Sequence, residues 1–283
     1  MARNMLLCER KTIASNPSTT WRAIMMKKTL ISAAVAASLF ALSAPASATL
    51  TNWYIDTDGA GGNAPVLVQD YLDLTGVAYV HNTFSDATNF TFNEVGNFLN
   101  LTADGTTALA PSLTAKFIGT GLGNVGGNLT FNPGGSLNVF SGTTDIADFT
   151  LQVGSAVLNA GTVLPNGAIS FIFKATGMQT GYFFDSAMGD LATVANSATG
   201  LLLGFATTNV ITSFTPITGS LITDYNNAFD PNVPTTVTPN LRTDLRLSNN
   251  GQFRLAVPEP STLALFGIAL LGVGFMSRRN SKS

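Results

Sequence analysis

The chain has 283 residues, enough for one large or two small domains, and only 11% of them are charged. Its single cysteine, Cys8, sits near the start, so nothing beyond it can supply a disulfide, a thiolate nucleophile or a cysteine metal site. Residues 49–257 hold 14 acidic and 5 basic side chains, a net −9 against −2 for the whole chain, and such a surface excludes nucleic acid and anionic lipid headgroups as partners.

Residues 1–25 follow no recognisable pattern and read as an over-extended start, with Met25 or Met26 as the first true residue. From Met26 the three parts of a secretory signal peptide follow in order. Lys27 and Lys28 are the positive start, Leu30 to Leu42 the apolar core, and Ala46-Ser47-Ala48 the small-residue cleavage site. Residues 26–48 are therefore expected to be removed, leaving Thr49 at the mature N-terminus.

Just beyond lies "DTDGAGGN", where Asp56 and Asp58 flank Thr57 and glycines let the loop bend. Oxygen ligands on a bendable loop suit calcium, so Asp56 and Asp58 are the candidate metal ligands. An EF-hand is excluded, because Ala60 and Leu67 stand where that loop needs its third and last ligands. The neighbouring Trp53 and Tyr54 offer aromatic area for a sugar, or a plug for the edge of a core.

From there to residue 256 the pattern is short alternating runs broken by Gly, Asn, Pro and Asp. Phe90 and Phe92 share one face, as do Leu113, Ala115 and Phe117; Phe149, Leu151 and Val153; and Ile169, Phe171 and Phe173. The run from Gly200 to Phe214 fits a central strand or a short buried helix. Asn132-Pro133-Gly134-Gly135 and Asn250-Gly251 carry turn chemistry and predict hairpins. "FNEVGNF" from Phe92 echoes the first of them. The proline-rich stretch 228–241 predicts a long loop. Together these predict an all-β fold, a single β-sandwich-like domain over 49–256.

Catalytic parts are few. His81 is the only histidine, and no serine sits in a G-x-S-x-G elbow, so neither a Ser-His-Asp triad nor a histidine zinc site is indicated. Asn89, Asn100 and Asn128 match the N-glycosylation acceptor pattern.

The chain ends in "VPEPSTLALFGIALLGVGFMSRRNSKS". Pro258 and Pro260 hold Glu259 extended, a shape a membrane-embedded protease can grip. The 14 apolar residues from Leu263 to Met276 span about 21 Å as a helix, short of the ~30 Å hydrocarbon core, which predicts a short and transient transmembrane anchor. Arg278 and Arg279 should stay cytoplasmic. Pro258-Glu259-Pro260, the apolar span and Arg278-Arg279 together closely resemble the PEP-CTERM sorting signal of Gram-negative bacteria. The resemblance implies passage through the inner membrane and processing by an exosortase, a transpeptidase-like membrane enzyme associated with exopolysaccharide. "FNEVGNF", "LTAKFIGTG" and the "GYFFD…TGLLLGFATTN" block are similar, more loosely, to flocculation-associated PEP-CTERM proteins. The expectation is an exported, non-enzymatic matrix protein that promotes aggregation or biofilm formation with exopolysaccharide. The alternatives are a secreted carbohydrate-binding module and a polysaccharide hydrolase.

Overall fold

The computed structural model of the chain describes residues 47–59, 62–197 and 200–258. The expected start at 1–25, most of the signal peptide, Glu259, Pro260, the apolar span, Arg278 and Arg279 lie outside the described residues.

The strands follow one another around a ring. β1 (Ser47–Thr49), β2 (Trp53–Ile55) and β3 (Val66–Val68) are short, and β4 (Leu72–Phe84) begins the wall. The wall continues with β5 (Asn89–Ala103), β6 (Thr107–Ala108), β7 (Leu113–Asn124), β8 (Asn128–Phe131), β9 (Ser136–Ser141), β10 (Thr144–Leu158) and β11 (Pro165–Met178). β12 (Phe183–Phe184) and helix α1 (Leu191–Ala195) then precede β13 (Leu202–Ser213). β14 (Ile217–Thr218), α2 (Ser220–Ala228) and β15 (Thr236–Val237) lead to the last strand, β16 (Asp244–Pro258). Each long strand pairs antiparallel with the next, except that β8 and β9 stand between β7 and β10, and β16 pairs with both β13 and β4, which closes the ring.

The all-β expectation holds, and the strands close into a barrel instead of stacking as two sheets. Strands of 12 to 15 residues, each beside its chain neighbour, can remove their edges by closing, and register shifts in β4/β5, β10/β11 and β13/β16 supply the bends.

Both expected hairpins are corrected. β8 and β9 lie end to end in one lane, each pairing with β7 and β10, so Asn132-Pro133-Gly134-Gly135 interrupts a strand without reversing it. β16 runs straight through Asn250-Gly251, with Gly251 opposite Leu74 on one side and Thr207 on the other. "FNEVGNF" is likewise continuous strand within β5. The stretch 200–214 holds strand β13, Leu202–Ser213, and α1 and α2 are helices that strand periodicity did not predict.

Phenylalanine rings fill the barrel. Phe131 and Phe171 meet at 4.7 Å between centroids, Phe98 and Phe205 at 5.6 Å, and Phe171 stacks on Phe205 at 5.6 Å. Rings this large need glycines opposite them. A Cβ on Gly121 would come within 3.0 Å of the ring of its cross-strand partner Phe92, and one on Gly251 as close to Phe205. The void lined by Leu74, Glu94, Phe98 and Phe171 holds about 10 Å³, room for one water molecule.

One end is covered by the small sheet β12-β2-β3 with α1. Trp53, Ile55, Phe183, Leu191 and Ala192 join the barrel core there, so Trp53 is a plug and not a sugar platform. On the outside, Leu221, Ile222 and Tyr225 of α2 bury the outward-facing Tyr79 and Val95.

Candidate functional site

Glu94 carries the least ordinary chemistry in the barrel. Alternation along β5 places Phe90, Phe92, Glu94 and Phe98 on the inner face, so the carboxyl enters the lumen, where only 4% of the residue is exposed. Burial pushes its pKa up to about 8, which keeps it neutral at pH 7. Asn249 lines the same void, and its Oδ1 is buried without a donor.

His81 belongs to an outer cluster beneath α2. Its Nδ1 lies 2.8 Å from Asp244 Oδ1, and the Tyr79 hydroxyl donates to that same oxygen at 2.9 Å. Burial raises Asp244, yet hydrogen bonds from His81, Thr243 and Tyr79 outweigh it and hold the carboxyl below its usual range. Tyr79 is pushed well up by burial and by Asp244. The cluster ties the start of β16 to β4, a structural task.

Asp56 and Asp58 do come together. Asp56 Oδ1 accepts the backbone N–H groups of Asp58 and Gly59, and Asp58 Oδ2 accepts both the backbone and side-chain N–H of Asn63. Burial and the neighbouring Asp58 raise the Asp56 pKa. The loop thus turns its carboxylates on its own N–H groups, and no third acidic or histidine side chain joins them among the described residues.

A groove of about 280 Å³ lies on the outer wall between β5, β7 and the start of α2. Leu99 and Val77 form apolar floor, while Asn97, Ser220, Lys116 and Arg246 supply polar groups. Lys116 is paired with Asp224 at 3.0 Å, and Arg246 donates to Ser213 at 3.2 Å. Neither cation stands out in the sequence, because they lie 130 residues apart and only closure of the barrel brings them together.

The remaining candidate is the end of β16. Phe253 and Leu255 keep the strand's alternation and point inward, while Arg254 points out to Asp70 at 2.9 Å. Beyond Phe253, which pairs with Leu72, β4 stops and β1 takes its place: Thr49 pairs with Ala256, Ala48 with Val257 and Ser47 with Pro258. The strand therefore stays in the barrel up to Pro258, the first residue of the Pro-Glu-Pro triplet. Residues 256–279 match the family model of the PEP-CTERM protein-sorting motif.

The chain carries a PEP-CTERM sorting motif. It marks an exported protein that is processed at the membrane by an exosortase. No curated protein and no solved structure matches the chain. Of the motif residues, Pro258 lies in the barrel, and Glu259, Pro260, Arg278 and Arg279 lie outside the described residues. No helix among the described residues is long and apolar enough to cross a membrane, and the span expected at 263–276 falls beyond them. At the other end, Ala48 of the expected cleavage site is in β1, and Ala46 is outside the described residues.

Proposed function

We propose that the barrel is a non-enzymatic component of the extracellular matrix of a Gram-negative bacterium, where it promotes cell aggregation, flocculation or biofilm formation with exopolysaccharide. The observation that carries this reading is the PEP-CTERM motif, whose first residues, 256–258, belong to the last strand of the barrel. The packed lumen supports it, since Phe131, Phe171 and Phe205 stack inside the barrel and leave the outer wall to meet a partner. The test compares a deletion strain with strains restored by the natural chain or by one with Pro258-Glu259-Pro260 replaced by alanines. Aggregation should return with the first and not the second, whose protein should stay cell-associated with its tail intact. A deletion strain that aggregates as well as its parent would sink the reading.

The groove at Lys116 and Arg246 favours a second reading, a carbohydrate-binding module. Its apolar floor, amide, hydroxyl and two cations are groups that suit a saccharide bearing carboxylates. Binding of the purified polysaccharide by the processed protein, weakened by Lys116→Ala with Arg246→Ala, would establish it.

A further inference from the structure

We infer that the outer wall over β8, β10, β11 and β13 is a contact surface for a second copy of this chain. The inference stands apart from the sorting motif and from the groove at Lys116 and Arg246.

Charge distribution supplies the first argument. Between Phe117 and Thr223 the only charged residues are Asp145, Asp148, Lys174, Asp185 and Asp190. Strand β8, residues 149–158 of β10, residues 165–173 of β11 and the whole of β13 have none. These strands are neighbours in the ring, so the gap in the sequence becomes one uncharged face. Of the 14 acids in residues 49–257, 10 lie before Phe117 or after Thr223. Two copies of so acidic a protein repel one another over most of their surfaces, and at this face the repulsion is weakest.

Relief supplies the second argument. Val153 and Ile172 are cross-strand partners, 49% and 45% exposed, and Val157, two outward positions along β10, is 57% exposed. Exposed apolar side chains standing singly are ordinary, but here they cluster on one face. Between them Ser155 pairs with Ser170, which pairs in turn with Ala206, and Ile172 pairs with Gly204. These small residues leave two hollows that share Ser170, one of about 380 Å³ beside Val157 and one of about 340 Å³ beside Ile172. Knobs and hollows side by side suit a two-fold contact, in which each copy must offer both halves of the fit. Facing sheets interdigitate in this way at a spacing of about 10 Å.

Other occupants fit worse. Among the described residues no aromatic ring is exposed on these strands to stack a sugar. Arg254, the cation that borders the second hollow, is already paired with Asp70 at 2.9 Å, so an anionic polymer or lipid finds no partner there.

The test is sedimentation equilibrium of the processed protein in chelator, over a series of sodium chloride concentrations. A patch about five residues long on four strands ~4.8 Å apart is of the small, weak class, so dimers should populate only in concentrated solution. Salt should tighten them, because it screens the repulsion and leaves apolar contact intact. Ser170→Glu puts a like charge at the centre of the face and should weaken the dimer about tenfold or more. Ile172→Ser removes a knob without adding charge and should also weaken it by about tenfold. Thr75→Glu adds the same charge at an exposed position of β4 and should change the dimer far less. All three positions are exposed, and equal Tm values would show that the variants fold. A natural chain that stays monomeric at every concentration overturns the proposal, as does a dimer that Ser170→Glu and Ile172→Ser leave intact. Equal weakening by Ser170→Glu and Thr75→Glu overturns it too, by reducing the effect to net charge. A monomer that binds polysaccharide, and loses it in Ser170→Glu, gives the face to the polymer instead.

Discussion

Replacing Glu94 with glutamine should make the barrel more stable at neutral pH and flatten its response to alkali. The side chain has an ordinary pKa of 4.5, and burial raises it to about 8 in the folded protein. Between these values the folded chain holds a proton that the unfolded chain has released. Stability is therefore full below about pH 4.5, falls as pH rises, and levels off once the folded-state value is passed. Each pH unit in that window costs ~1.4 kcal/mol, so the loss by pH 7 is about 3 kcal/mol. For a domain of this size that corresponds to roughly 6–12 °C in Tm. Glutamine keeps the shape, ionises nowhere, and brings an N–H₂ to the void where Asn249 Oδ1 lacks a donor. The assay is thermal or urea unfolding of the processed protein and its Glu94→Gln variant at half-unit steps from pH 4.5 to 8.5. The difference between the two curves isolates this one group, since every other carboxyl is shared. Parallel curves across the whole range would refute the burial argument.

Gly121→Ala should lower stability by about 1–3 kcal/mol, read as a drop in Tm, because its Cβ would press on the Thr130 carbonyl and the Phe92 ring. A variant with unchanged Tm would show that the wall there is looser than its packing implies. Asp56→Ala with Asp58→Ala should lower Tm by loosening the loop, and should leave any calcium response of cell aggregation unchanged. With Glu94 neutral inside the barrel, residues 49–257 carry 13 acids against 5 bases, a net −8. Such surfaces repel one another, and calcium can join carboxylates anywhere on them, whereas sodium only screens. Loss of the calcium response at fixed ionic strength would instead place a defined site in this loop.

Much of the wall is legible in residue alternation. Leu113, Ala115 and Phe117 are buried with Lys116 outside, and Ile169, Phe171 and Phe173 are all inside, as period two demands. Val153 is not: the register shift between Leu151 and Val153 moves it outward, to 49% exposure. A bulge of one residue leaves no mark in hydropathy. The two missed hairpins are more instructive, because parity already argued against them. A two-residue turn at Asn250-Gly251 would pair odd positions with even ones, setting Leu245 and Leu247 on the opposite face from Phe253 and Leu255. All four are buried inside, and their shared odd parity fits one unbroken strand. The same holds for Leu129 and Phe131 against Leu137 and Val139 across the four residues between them. Glu94 was legible too, since Phe90 and Phe92 fix the inner face two residues earlier; counting it among the surface acids ignored that parity. Closure was not legible, and neither was the groove, for both depend on contacts between β4 and β16 across more than 160 residues.

That the last strand is the one that seals the ring has a consequence for transport. Until residues 244–255 have emerged, β4 and β13 each lack a neighbour and the lumen stays open to water, so no stable half-barrel can lodge in the pore that carries the chain outward. The polypeptide stays threadable until almost its whole length has crossed. Closing the ring then means bringing together segments far apart in the chain, an intrinsically slow search during which phenylalanine-rich strands stand exposed. Such a chain should depend for its yield on holding factors beyond the membrane more than on its final stability.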